Sequence, residues 1–165
     1  MKRILLAAAS GLLYALSFPL YSLFPLAWVW AVPLFLLMEN ACGLEIFLSG
    51  VISGMVAWAG IVYWVAYVMN EYGGMTLLPA AFLLLLLITC LSLFFGFFAL
   101  LSSRLLRTKG AFLFIPGLWA LMELVRSYVP FSGFPWALLG YSQQPWTPFI
   151  QAAELGGVYL IGAVV

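Results

Sequence analysis

Apolar runs separated by short polar breaks dominate this chain from end to end. The breaks leave six stretches that read as helices crossing a bilayer, at 4–18, 26–38, 46–69, 77–101, 111–129 and 149–165. Phe18-Pro19 closes the first, and the prolines Pro19 and Pro25 turn the chain back into the second. Both of these are short for a crossing, which takes about 20 apolar residues, so part of 19–25 is expected at the interface. A polar loop from Glu39 to Glu45 precedes the third stretch, and Asn70-Glu71-Tyr72-Gly73-Gly74-Met75 follows it as a turn, the glycine pair supplying positive-φ freedom. The fourth stretch is the most apolar. The fifth has Pro116 near its start, where a missing N–H costs little. A long aromatic loop at 130–148 leads to the sixth, inside which the sequence stops. The expected fold is therefore all-α, a polytopic transmembrane bundle of about six spans.

Basic residues orient it. With the N-terminus cytoplasmic, alternation puts Lys2, Arg3, Arg104, Arg107 and Lys109 all on the cytoplasmic side, as the positive-inside rule requires. Only Arg126 falls on the outer side. Lys2-Arg3, the apolar stretch after it and Ala15-Leu16-Ser17 imitate a secretory signal peptide. Pro19 just beyond that cut and the spans that follow at once favour a retained first helix.

Composition reinforces the class. Hydrophobic residues make up 67% of the chain and charged residues 7%, against roughly a quarter charged in a soluble domain. A water-soluble fold of this size leaves too much area exposed to hide so much apolar surface. The formal net charge of +1 provides no basic patch for nucleic acid. His and Asp are absent, which removes a Ser-His-Asp triad and the common His metal sites within the chain. Cys42 and Cys90 show no paired spacing, so neither disulfide nor zinc site is indicated. Gly50-x-x-x-Gly54, flanked by Ser49 and Ser53, permits close helix approach. Trp28, Trp30, Trp58, Trp64, Tyr63 and Tyr67 read as interface anchors or packing residues.

Chemistry is concentrated between 118 and 143. Glu123 and Arg126 stand three apart on one helix, share a face and can pair. Ionisable groups within a span face the bundle interior or a wet cavity. Such a pair is either a salt bridge that fixes packing or a polar floor beneath a substrate site. The loop beyond it carries Gly133 and Gly140 for tight turns and Pro130, Pro135, Pro145 and Pro148 for stiffness. Phe131, Phe134, Trp136, Tyr141 and Trp146 belong at headgroup level, with Ser142, Gln143 and Gln144 offering hydrogen bonds. Lipid contact and a simple aromatic belt are the two readings of that composition.

The series Leu118-Trp119, Glu123-Leu124-Val125-Arg126, Ser132-Gly133-Phe134-Pro135-Trp136 and Gly140-Tyr141-Ser142-Gln143 closely resembles the membrane domain of the apolipoprotein N-acyltransferases. Leu16-Ser17-Phe18-Pro19, Tyr63-Trp64-Val65, Tyr72-Gly73-Gly74-Met75 and Ser103-Arg104-Leu105 fit the same family in order, so the likeness covers nearly the whole chain. The resemblance implies a multi-pass protein of the bacterial inner membrane, part of an enzyme of lipoprotein maturation. That enzyme moves an acyl chain from a phospholipid donor to the N-terminal amine of a diacylglyceryl-cysteine lipoprotein, through a thioester on an enzyme cysteine. It implies no cofactor, and it puts the nucleophile in a nitrilase-like domain after residue 165. No catalytic residue is then expected here, and the chain alone is expected to be inactive. Phe134, Pro135, Trp136, Tyr141, Ser142 and Gln143 become the candidate lipid- and substrate-facing loop on the periplasmic side, with Glu123 and Arg126 supporting it. A non-catalytic membrane scaffold and a small transporter are the rival classes. For a transporter's polar path the fifth span offers Glu123 and Arg126, both near one end.

Overall fold

A computed structural model describes residues 2–39, 41–129 and 132–165. Its described residues form helices and turns, with no strand among them. The first helix, α1 (Lys2–Leu16), buries Ala7, Ser10, Gly11, Tyr14 and Ala15, a stripe at helical spacing. It ends short of Pro19, whose ring excludes helical backbone in the residue before it. Ser17 Oγ bonds Tyr14 O at 2.7 Å as it closes.

The second apolar stretch, expected as one helix at 26–38, is broken. A 3-10 helix spans Phe24–Trp28 and a five-residue helix, α2, spans Val32–Leu36. Pro25 and Pro33 each sit in the first turn of their own piece. A continuous helix through Pro33 would lose one backbone hydrogen bond and drive the ring into the carbonyl a turn earlier, so the helix restarts there.

The centre of the bundle is α3 (Gly43–Val62). Cys42 caps it, its N–H donating to Glu45 Oε2 at 3.1 Å, and Arg3 pairs with Glu45. Glycines set the approach on both sides. A Cβ added to Gly11 would lie 2.1 Å from Ser53 O, and one added to Gly50 would lie 2.5 Å from Phe95 O. Gly54 meets Ser92 Cα at 2.8 Å in the same way. The close approach that the Gly50/Gly54 spacing predicts is thus made against the fourth apolar stretch.

The third stretch pauses at Tyr63, whose backbone stays helical, and continues as α4 (Trp64–Glu71). The fourth, α5 (Leu77–Leu105), runs 29 residues, through the serines expected to begin a loop. Ser103 Oγ returns to Leu100 O at 2.7 Å, and Arg104 in the last turn suits the negative end of the helix dipole. The fifth, α6 (Ala111–Arg126), stops before 129, with Ser127 Oγ bonding Glu123 O at 2.8 Å at its end. The sixth divides into α7 (Thr147–Ile150) and α8 (Ala153–Val164), and Gly157 at φ 68° kinks the latter. Of these, α3 and α5 are long and apolar enough to cross a membrane.

Beside its apolar core the bundle buries several polar side chains and exposes many large apolar ones. Ser10, Ser17, Ser53, Ser92, Ser102, Glu123, Arg126 and Gln143 are buried, while Leu5, Leu12, Leu78, Phe82, Phe112 and Leu113 stand exposed. Oily exteriors over small and polar helix contacts are what lipid as the solvent selects. The interior is aromatic. Tyr14, Trp30, Phe95, Phe98 and Trp119 pack with ring centroids 4.7 to 5.8 Å apart, joining α1, α5, α6 and the chain before α2. Arg3, Glu45, Glu39, Arg104 and Arg107 gather at one end of the bundle. The loop after α6 lies at the other, against the last turn of α1 and the end of α3.

Candidate functional site

Local backbone chemistry starts the loop. Gly133 has φ 85°, and a Cβ there would fall 2.0 Å from Ser127 O, so only glycine fits. Ser132 and Ala137 also take positive φ, at 72° and 50°. Non-glycine residues held there cost energy that the surroundings must over-determine. They do so through buried polar side chains.

Arg126 reaches from the end of α6 into the loop and donates from Nη1 to Phe134 O and to Trp136 O, each at 2.8 Å. Phe134 N–H returns to Arg126 O at 2.8 Å. The guanidinium also lies over the Trp58 ring, 4.8 Å from its centroid, and Trp58 meets Phe134 edge-on at 5.7 Å. One turn earlier, Glu123 Oε1 accepts the Leu139 N–H at 2.6 Å. Between themselves Glu123 and Arg126 are only 3.9 Å apart. The pair seen in the sequence is a long salt bridge whose two members each also hold the loop backbone. Space matters as well as charge. A Cβ at Gly162 would come within 2.9 Å of Glu123 Oε2, and one at Gly140 within 2.4 Å of Val158 O, so α8 packs directly on this network.

Residues far away in sequence complete the hold. Tyr14 in α1 donates to Ala137 O at 3.2 Å. Gln143 donates through Nε2 to Phe24 O at 3.2 Å and accepts the Trp28 indole N–H at 3.1 Å. Ser142 Oγ bonds Leu139 O at 2.7 Å and receives Gln143 Nε2 at 2.8 Å. Ser142 and Gln143 were expected among the lipid-facing residues; both are fully buried, and they anchor the loop from within. Phe134 is half-buried against Trp58. Pro135, Trp136 and Tyr141 are the candidates left facing outward, with Trp136 58% and Tyr141 49% exposed. Trp136 rests on Trp64 of α4 at 5.7 Å. Pro130 and Phe131, counted with the aromatic loop by sequence, lie outside the described residues.

Tyr14 and Trp58 are the functional partners that sequence reasoning missed. Trp58 read as one more packing aromatic, and Tyr14 as part of an oily first span. The usable signal was a tyrosine hydroxyl deep within an apolar helix, since such a group finds a hydrogen-bond partner when buried. Cys42 caps α3 at the opposite end of the bundle, and Cys90 lies on α5. Among the described residues no group of His, Cys, Asp and Glu could hold a metal ion.

The family model for the N-terminal domain of apolipoprotein N-acyltransferase matches residues 10–165. The chain belongs to that family. Within it, the apolipoprotein N-acyltransferase of Geobacter metallireducens is 38% identical over 157 residues, covering 94% of this chain and 30% of the relative. That of Vibrio parahaemolyticus is 34% identical over 164 residues, 98% of this chain and 32% of the relative. That of Pseudomonas putida is 34% identical over 161 residues, 95% of this chain and 32% of the relative. The chain spans about a third of the length of these acyltransferases and corresponds to their N-terminal domain. The Glu-x-x-Arg and Gly-Phe-Pro-Trp segments that carried the resemblance are the same segments that form the loop and the pair that holds it.

Proposed function

We propose that this chain is the membrane portion of an apolipoprotein N-acyltransferase. It crosses the bacterial inner membrane about six times with its N-terminus in the cytoplasm, and presents the 132–143 loop at the periplasmic leaflet. In the complete enzyme an acyl chain passes from a phospholipid to a thioester cysteine, and from there to the amine of a diacylglyceryl-cysteine lipoprotein. Splitting the transfer this way replaces one difficult step by two easier ones. The cysteine belongs to the part of the enzyme beyond this third. The role of this domain is to seat that part on the membrane and to offer lipid a rigid edge along which to approach it.

One observation carries the reading. Buried charge is spent on a loop: Arg126 and Glu123 bind its backbone at 2.8 and 2.6 Å while Trp136 and Tyr141 stay half in solvent. An aromatic belt needs no such anchoring, because Trp and Tyr find the interface by their own amphipathic rings. Ordered aromatics ready-set for a lipid ligand save the cost of immobilising them on binding. The break in the second stretch supports the same role, since the Phe24 carbonyl and the Trp28 indole of its 3-10 helix meet Gln143, and Trp28 extends the aromatic surface to Trp146 and Phe149.

Two measurements test it. In a background free of Cys42 and Cys90, Ser132→Cys and Gln144→Cys are expected to react with an impermeant thiol reagent from the periplasmic side only; labelling solely from the cytosol refutes the topology. In the complete enzyme, Trp136→Ala with Tyr141→Ala is expected to depress thioester formation from phospholipid or transfer to the lipoprotein amine. Both steps proceeding at the parental rate refutes the loop's role.

A further inference from the structure

At the end of the bundle away from the loop, a groove of about 830 Å³ opens between α2, the first turn of α3 and the last turns of α5. Its walls are Val32, Phe35, Leu36, Ile46 and Leu100, and its rim carries Ser103, Arg104 and Arg107 with Glu39 opposite. Both arginines are exposed, and among the described residues neither has a carboxylate within salt-bridge distance. They are not merely the ordinary basic flank of a span. Arg104 is in the last turn of a helix that runs 29 residues, about 43 Å at 1.5 Å per residue, well beyond a hydrocarbon core of about 30 Å. That excess length, together with the linker that carries Arg107, brings two guanidiniums over an apolar trough.

We propose that this groove binds an anionic phospholipid from the leaflet at that end, its phosphate between Arg104 and Arg107 and an acyl chain along Phe35, Leu36 and Leu100. Charge complementarity favours an anionic headgroup: two guanidiniums against the one carboxylate of Glu39 leave the rim net positive, which a headgroup of net charge −1 balances and a zwitterionic one does not. Planar guanidiniums hold phosphate oxygens through paired hydrogen bonds. The apolar wall is what a free phosphate ion leaves unused, and it selects a lipid. Basic pockets between helices at a membrane surface hold acidic headgroups by the same physics. Under the topology proposed above this is the cytoplasmic leaflet, so the site is separate from any lipid reaching the loop. The binding claim itself requires only the groove and its arginines, and it stands or falls apart from the acyltransferase reading.

The test is retention of dioleoylphosphatidylglycerol by the full chain in detergent, counted by native mass spectrometry against dioleoylphosphatidylcholine. Arg104→Gln with Arg107→Gln is expected to lower retention about twenty-five-fold, since each basic side chain near an anionic headgroup is worth roughly a factor of five. The Lys pair at the same positions is expected to fall between the parent and the Gln pair, keeping the charge but not the paired hydrogen bonds. Glu39→Gln, which removes the opposing carboxylate, is expected to raise it, a gain that a misfolded variant does not give. Ala41→Phe, which narrows the groove with both arginines intact, is expected to lower it. Three results overturn the assignment: equal retention in the parent and the Gln pair, equal retention of the two lipids by the parent, or full displacement of the lipid by inorganic phosphate. Self-association of the chain that displaces the lipid makes a second copy the occupant and overturns it equally.

Discussion

Replacing Arg126 by Met keeps the apolar stem of the side chain and removes the charged guanidinium. The structure indicates what is lost. Two hydrogen bonds from a charged donor disappear, to Phe134 O and Trp136 O at 2.8 Å, each worth about 1.5–3 kcal/mol. The contact with the Trp58 face goes as well, and Glu123 is left buried, 1% exposed, without its counter-charge. Breaking one side of a buried pair costs about 3–5 kcal/mol. These losses overlap, and the lower figure, about 3 kcal/mol, is the safe one for detachment of the loop. At 1.4 kcal/mol per decade that is roughly a hundredfold in the opening equilibrium. Amide hydrogen exchange in lipid nanodiscs reads it directly. Phe134 N–H and Leu139 N–H, which bond Arg126 O and Glu123 Oε1, are expected to exchange about a hundred times faster, while amides within α3 and α5 keep their rates. Arg126→Lys is expected to fall between, because a single ammonium cannot reproduce the planar fork that bridges two carbonyls. Adding Glu123→Gln to Arg126→Met is expected to recover part of the loss by removing the stranded charge. Exchange of Phe134 and Leu139 within about threefold of the parent in Arg126→Met would refute the anchoring role.

Further predictions follow from the glycines. Gly133→Ala puts a Cβ 2.0 Å from Ser127 O at positive φ and is expected to abolish the loop conformation. Gly74→Ala, at φ 64° with nothing within 4 Å, is expected to cost only about 1 kcal/mol in a thermal melt; equal effects refute the steric account. Gly50→Ala, with Phe95 O at 2.5 Å, is expected to push α3 from α5 and lower the melting temperature. Gly117→Ala, with open space around it, is expected to stabilise α6 by about 0.4–1 kcal/mol. A stable Gly50→Ala variant, or a destabilised Gly117→Ala one, counts against the packing described for these helices.

The solvent of this protein and the approximate course of its helices were legible from sequence. Hydropathy is local and additive, and a run of apolar residues states its preference for lipid without reference to its neighbours. The same is true of the short-range punctuation: Pro19 ends α1, and Gly50 and Gly54 mark a close approach. The ordered polar residues between Glu123 and Gln143 were likewise enough to carry the family, because hydrophobicity alone does not produce them.

Tertiary structure decided what those polar residues do. Ser142 and Gln143 read as surface hydrogen-bonding groups and are interior anchors; Glu123 and Arg126 read as an ion pair supporting the loop, and each binds the loop backbone directly. Pro33 and Gly157 turned two expected spans into broken ones. The reason is physical. A buried donor must find an acceptor wherever the fold supplies one, and here the acceptors are remote: Tyr14 bonds a carbonyl 123 positions away and Gln143 one 119 positions away. Spacing along the chain carries no information about such partners until the helices have packed, and it is those bonds that give the loop its shape.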